Sequence, residues 1–515
     1  MALDDPSAFT WRACWRLCVP ALVVAFVVRL LFCLDIPEAY YGSDSNSYFD
    51  TADALWNHGK FAMGPKRRGV YPLVIALAPA LPGNTARVVA VLQHALAMAA
   101  LLGVGWVTGH LTRRRAFWVP VITCVAAILP QPLWYEHEII ADSFVVQFFI
   151  LAVALAFPTD RLRGRRLMWF LIAAAAIVAC KPHGRPLWAG LVASALLLAG
   201  NPLRWGWKCH AVLAATVAII LGTGSAKQGS WLLMSSALPL IETENGIWPE
   251  YRHSLRAVVN EARVDLANYP WRQGQFKKRI KDPLVWKESP AWHALLAKSR
   301  SDEFSKVAKR FALEAIVRHP FVFGGFILKK IGMVLWAEDV DTKFSPKRFW
   351  HEQHNRNAER WQRDPKEVEL LYEMKQQDYV ALEAARLQHR PLLSPRWLEQ
   401  ARHLHWVKGK RRSGEKFHDL SLTWIGGLGL LGLAWCLSPA NFRRTSPLWL
   451  PCLLYVALIY TIGDAVRRYL LPIEWVLALL VALGLEWLID FALRFFRRRG
   501  ETSKMTPPPA PVPVP

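Results

Sequence analysis

The sequence predicts an all-α, polytopic membrane protein of about ten to thirteen spans, with interfacial helices and a large extracytoplasmic loop region. Three observations carry that expectation. Hydrophobic residues make up 53% of the 515-residue chain although 20% of residues are charged. That mixture arises when long apolar segments alternate with charged loops. Apolar runs long enough to cross a bilayer, or nearly so, recur along the chain near residues 18–36, 86–110, 116–133, 139–157, 167–180, 186–199, 209–224, 420–438, 447–463 and 469–494. Short Arg and Lys clusters sit between them, and alternate crossing places those clusters on one side.

The formal net charge of +23 suggests nucleic acid in a soluble protein. Here the basic residues lie beside apolar runs, so orientation in a membrane accounts for them better. The first run is about 20 residues long, which reads as a span rather than a cleavable signal. Residues 1–17, with Arg12 and Arg16, form a cytoplasmic N-terminus. "TRRR" (112–115), "RLRGRR" (161–166), "NPLRWGWK" (201–208), "NFRR" (441–444) and "RFFRRRG" (494–500) share that side if the run at 319–337 does not cross. That run, "HPFVFGGFILKKIGMVLWA", is interrupted by Lys329 and Lys330 and reads as an interfacial or re-entrant helix. A helix at 71–81 leads into the second span.

The organisation is then a transmembrane core over 18–224 with a first outer loop at 37–85. An outer region follows at 225–419, C-terminal spans at 420–494, and a cytoplasmic Pro-rich tail at 495–515. The tail ends in "TPPPAPVPVP" and is expected to be extended. The other outer segments are 134–138, 181–185 and 464–468. The charged stretch from Glu338 to Lys416 reads as helices with aromatic anchors such as Trp350 and Trp361. All eight Cys lie in or beside apolar runs and form no CxxC pair, so neither a disulfide framework nor a structural zinc spacing is present. No phosphate-cradling GxxxxGK[ST] occurs.

Candidate chemistry lies on the outer side. In "YYGSDSNSYFDTADALWNHGK" (40–60), Asp44 stands at the start of an amphipathic helix. Ser43 or Asp44 can be its N-cap, or Asp44 can be a general base at the mouth of a membrane cavity. Asp50 and Asp53 read as helix-surface charges. "KRRGVYP" (66–72) presents Lys66, Arg67 and Arg68 ahead of Tyr71. Lipid headgroup contact is one reading; an anionic partner such as a phosphate is the other, because Arg binds two oxygens at once. "CKPHGRP" (180–186) sets Lys181 and Arg185 about a helix break, and "GDAVRRYLLP" (463–472) sets Arg467 and Arg468 before the last span. Three cationic segments at span ends on one side make a shared phosphate site the economical reading.

Asp142 in "WYEHEIIAD" (134–142) falls inside an apolar run, where an ionisable group is costly unless paired. It is a site candidate, or a structural partner of Lys181 or Arg185. Glu136, His137 and Glu138 stand at the water boundary, where they are either simply solvated or leave room for a divalent metal, a spacing that is weakly diagnostic. Glu242 and Glu244 are ambiguous loop carboxylates.

Taken in order, these elements resemble the GT-C glycosyltransferases that use polyprenyl-phosphate sugars. That broad group includes bacterial lipid A aminoarabinose transferases and protein O-mannosyltransferases. The resemblance rests on the D-x-x-x-Y element at Asp44 and Tyr48, followed by Ala52, Leu55, Gly59 and "RRGVYPLVIAL". It continues through "PLWYEHEIIADSFVVQFFILA", "KPHGRPLW", "RHPFVFGGFILKKIGMVLW" and "RRYLLPIEWVLALL", and so covers most of 18–494. It implies a multi-pass protein of the bacterial inner membrane that transfers a sugar with inversion, its site on the periplasmic face. The substrates implied are a polyprenyl-phosphate sugar and a lipid, glycan or protein acceptor.

The family's catalytic base falls on Asp44, its neighbouring Tyr on Tyr48, the acidic position of the fourth span on Asp142, and a donor-phosphate cation on Lys181. Its basic site before the second span falls among Lys66, Arg67 and Arg68. Arg185, Tyr71, Arg467 and Arg468 complete the expected substrate-binding set. No cofactor is certain. Where many members carry Asp-Glu this chain has Asp44-Ser45, which weakens the O-mannosyltransferase branch and any metal role of a second acid. The 225–419 region carries no resemblance. A transporter or flippase of a lipid-linked sugar is the alternative, although the paired repeats common in transporters are not evident. A nonenzymatic membrane assembly protein would explain the large loop but not the cations.

Overall fold

The structure is a computed structural model that describes residues 9–39, 45–58, 69–222, 233–244, 249–268, 302–336, 377–378, 381, 420–462 and 470–502. The described residues are all-helical, with no strand. Asp44, Lys66, Arg67, Arg68, Arg467 and Arg468 lie outside them, as do Trp350 and Trp361.

Helix α1 (Trp11–Asp35) starts where Thr10 accepts a hydrogen bond from the Ala13 amide. One of its faces buries Cys14, Cys18, Ala25, Val28 and Phe32, while Val23, Phe26, Leu30 and Leu34 stay exposed. An apolar stripe turned outward on so apolar a helix is what lipid contact requires. An amphipathic α2 (Ser45–His58) and a short α3 (Val70–Leu77) follow, then α4 (Thr85–Leu111), capped by Asn84 on the Arg87 amide at 2.8 Å. Next come α5 (Arg115–Ile128), α6 (Pro130–Tyr135), α7 (Asp142–Ala156), α8 (Gly164–Cys180), α9 (Arg185–Ala199) and α10 (Trp207–Gly222). After them come α11 (Pro249–Asn268), α12 (Asp302–Arg318), α13 (Pro320–Trp336), α14 (Leu420–Leu437), α15 (Phe442–Ile462) and α16 (Leu471–Thr502), the last three packed into the same core as the first ten.

Three of these are long and apolar enough to cross a membrane: α1, α4 and residues 471–496 of α16. Other apolar runs emerge as shorter helices. The run at 116–133 breaks before Pro130 into α5 and α6, since the residue preceding proline is pushed out of the helical region. The run at 139–157 turns helical only at Asp142, and Pro182 and Gly184 part α8 from α9. At His319, α12 and α13 meet with a bend of 100°, so the segment read as interfacial sets off sharply from the helix before it.

The basic clusters gather at one end of the bundle. Arg113 and Arg114 reach Asp490 on α16 at 2.9 Å, and their amides donate to Glu486. Arg443 donates to the Leu197 carbonyl at 2.6 Å, and Arg444 to the carbonyl of His110. Phe9 packs on Trp106 and His110 at the same end. One-sided clustering of this kind is what the sequence predicts for the inner ends of spans.

Helices α14 and α16 cross through Gly432 and Gly484. A Cβ at either glycine would run into a backbone carbonyl of the opposite helix, Leu480 or Leu428. Small residues permit such close approach where apolar burial no longer drives helix association. Gly484→Val is therefore expected to destabilise the chain by about 1–3 kcal/mol through overpacking against backbone that cannot yield. The thermal unfolding midpoint of the detergent-solubilised protein reads this out, and an unchanged midpoint would show that the pair slides apart without cost.

The 225–419 region has a hydrophobic core of its own. Met234, Leu238, Leu255, Val259, Phe311 and Phe323 are among its buried members. Arg252 is almost fully buried there, donating to Glu314 at 2.9 Å and to the Glu242 carbonyl at 2.5 Å while it stacks over Phe311. Glu242, ambiguous by sequence, accepts from Arg318, and that contact holds its carboxyl below the usual carboxylate range. It serves this small core rather than the cationic segments.

Candidate functional site

Of the residues singled out by sequence, Tyr48, Tyr71, Asp142 and Lys181 come together near the start of α7. The turn from Glu136 to Ile140 delivers Asp142 to the first position of that helix, and its backbone is held from two sides. Gln93 on α4 donates through Nε2 to the carbonyls of Glu136 and Glu138, both at 2.9 Å. Ser45, directly after Asp44, donates through Oγ to the Ile139 carbonyl at 2.8 Å. The Oε1 of Gln93 accepts from Tyr71 at 3.0 Å and Ser143 at 2.9 Å, and its carbonyl accepts from Gln147 at 3.0 Å. Gln93 is fully buried and every polar atom of its side chain is used. It is the hub that ties α3, α4 and α7 together.

Lys181 donates to Asp142 at 2.5 Å, and both are buried. The structural pairing left open by sequence therefore exists, with Lys181 rather than Arg185 as the partner. Arg185 begins α9 and donates to the Ile220 carbonyl at 3.2 Å. Tyr48 lies edge-on to Tyr71, ring centroids 5.0 Å apart, and both rings are buried. Burial pushes the Tyr71 hydroxyl well above its ordinary pKa, so it stays a proton donor to Gln93. Tyr71 acts on the site through that glutamine.

The basic motif at 66–68 ends on Gly69, whose φ is +125° and whose Cα faces the Ala179 carbonyl so closely that a Cβ would collide with it. Only glycine suits that combination. It fixes the end of "KRRG" beside the strand of backbone leading to Lys181. At the other edge, Leu471 and Trp475 at the start of α16 line a small cleft of about 40 Å³ together with Ser143 and Gln147. Asp44, the Lys66–Arg68 cluster and the Arg467–Arg468 pair are themselves outside the described residues, and only the residues that flank them are placed.

Sequence reasoning missed a second buried network beside the first. Arg29 of α1 forms a two-pronged pair with Glu136, Nε to Oε2 at 2.8 Å and Nη2 to Oε1 at 2.7 Å. His94 Nδ1 meets Glu136 Oε2 at 2.9 Å, His94 Nε2 meets His137 Nδ1 at 3.0 Å, and His137 Nε2 donates to the Glu38 carbonyl at 3.0 Å. Burial works against the charge on Glu136, yet Arg29 and His94 outweigh it and hold the carboxyl below its usual value. Burial also drives the His137 ring well below its ordinary pKa. Both Glu136 oxygens are taken, so the metal set read at Glu136, His137 and Glu138 does not converge. The donor atoms that do converge belong to Cys33, His94 and His137, all within 4.8 Å of one another. A usable signal existed: Arg29 and His94 interrupt apolar runs, the property that singled out Asp142.

No protein-family model matches the chain, and no curated protein matches it either.

Proposed function

We propose that the chain is an inverting GT-C-type glycosyltransferase of the bacterial cytoplasmic membrane, taking its sugar from a polyprenyl-phosphate donor at the extracytoplasmic face. The observation that supports this reading best is convergence. Ser45 and Tyr48, Gly69 and Tyr71, Lys181, and Leu471 come from four segments far apart in sequence, and all meet around Asp142 and Ser143. These are among the segments, in the same order, that carry the resemblance. They lie away from the end where the basic clusters gather.

In this mechanism Asp44 accepts the proton of an acceptor hydroxyl as the oxygen attacks the anomeric carbon. The bond from that carbon to the phosphate oxygen breaks, and the polyprenyl phosphate leaves with the electron pair. Lys181, one of Arg67 or Arg68, and Arg467 or Arg468 stabilise the growing negative charge in a site with little water. Asp142 keeps Lys181 positioned while no phosphate is bound. Arg185 ties the start of α9 to α10 through its contact with the Ile220 carbonyl.

The test is transfer by the purified full chain offered a panel of polyprenyl-phosphate sugars, with release of free polyprenyl phosphate as the readout. Bound donor with no release from any of the panel, together with movement of donor across vesicles, would replace this reading by that of a transporter. Lys181→Ala is expected to weaken donor binding by about 10- to 100-fold, the worth of a hydrogen bond to a charged group, and to leave acceptor KM little changed. Unaltered donor affinity would confine Lys181 to its structural pairing with Asp142.

A further inference from the structure

We propose that Cys33, His94 and His137 form a transition-metal site, suited to Zn²⁺, at the outer end of α1. The tautomers carry the case. The Glu38 carbonyl can only accept, so His137 Nε2 bears a proton and, in a neutral ring, Nδ1 is bare. Glu136 Oε2 accepts from Arg29 Nε and faces His94 Nδ1 at 2.9 Å, so Nδ1 is the donor there and, in a neutral ring, Nε2 is bare. The two bare nitrogens then face each other at 3.0 Å. Two lone pairs at that distance repel, and a cation between them removes the conflict.

A shared proton is the simplest such cation; three features favour a metal. The nitrogen separation is close to the roughly 3.3 Å that two imidazoles make when each sits about 2.0 Å from a tetrahedral ion. Cys33 supplies a third donor within 4.8 Å of both rings, for which a proton has no use. Each imidazole gives its other N–H to a carboxylate or a backbone carbonyl, the outer partnership that fixes ring orientation at metal centres. A Cys-His₂ set leaves a fourth position for water, and binding releases the Cys33 thiol proton. Cys33 is only half-buried, so an ion has access. The site stands apart from the proposed transfer chemistry and does not depend on it.

The experiment is a Co²⁺ titration of the tag-free, EDTA-stripped full chain in detergent, followed by displacement with Zn²⁺. One equivalent is expected to bind, with the intense visible bands of a four-coordinate ion and a thiolate-to-cobalt charge-transfer band. Cys33→Ser should abolish the charge-transfer band and Cys452→Ser should keep it. X-ray absorption of the Zn²⁺-loaded wild type should give one sulfur at about 2.3 Å and two nitrogens at about 2.0 Å, a result independent of how any variant folds. Failure to bind one equivalent, or a first shell without sulfur, overturns the metal site and leaves a proton shared between the two rings.

Discussion

Replacing Asp44 by asparagine is expected to cut sugar transfer by about 10²- to 10⁴-fold, the range over which a positioned general base acts, while the chain still inserts and still binds donor. An amide keeps the size and much of the hydrogen bonding of the carboxylate but cannot take the acceptor's proton. If Asp44 instead caps α2, asparagine caps as well as aspartate and stability is unchanged. The substitution therefore separates the two roles that sequence alone left open. Ser45 is held by the Ile139 carbonyl one residue away, so the backbone at 44 has a fixed neighbour whichever residue occupies it. Turnover close to wild type would remove Asp44 as the base. The assay compares single-turnover rates of the two purified chains at saturating donor, with donor affinity measured separately.

Much of this arrangement was legible, and the reasons differ by residue. Asp142 stood out because a carboxylate inside an apolar run must find a partner; the sequence left Lys181 and Arg185 as candidates, and the contact itself selects Lys181. The sequence put the basic clusters on one side by parity of crossing, and Arg113, Arg114, Arg443 and Arg444 contact Glu486, Asp490 and carbonyls of α4 and α9 at one end of the bundle. Gln93 was not legible. An uncharged amide within an apolar helix carries no signal of what it touches, and its partners come from α3, α7 and the turn between α6 and α7. Helix lengths were overread for a related reason. Hydropathy runs continue through Leu129–Pro130 and Ile139–Ala141, whereas backbone geometry stops the helices there. The small core beneath 225–419 was hidden because its contributors, from Met234 to Phe326, are spread through polar sequence.

Glu136→Gln is expected to destabilise the folded chain by about 3–5 kcal/mol, the cost of stranding a buried charge. Three donors converge on the Glu136 carboxylate: Arg29 Nε, Arg29 Nη2 and the His94 ring. An amide offers one accepting oxygen and one NH₂, so at least one donor must face another donor. The guanidinium keeps its contacts to the Ala25 and Ala127 carbonyls through Nη1, but these carry no charge to balance it. Arg29 and Glu136 are 107 residues apart, and the pair fastens α1 to the turn that aims Asp142 and Ser143. Adding Arg29→Met to Glu136→Gln removes the stranded cation and should recover part of the loss. The double-mutant cycle is expected to show coupling of about 1–3 kcal/mol between contacting members of one network. Strict additivity of the two substitutions, measured as unfolding free energies in the same detergent, would mean that the pair does not act as a unit. A coupled pair has a consequence for the proposed reaction too. A loosened turn would shift Asp142 and the Ser45 anchor together, so transfer by Glu136→Gln should fall even at temperatures where the variant is fully folded, since small misplacements of reacting groups are costly.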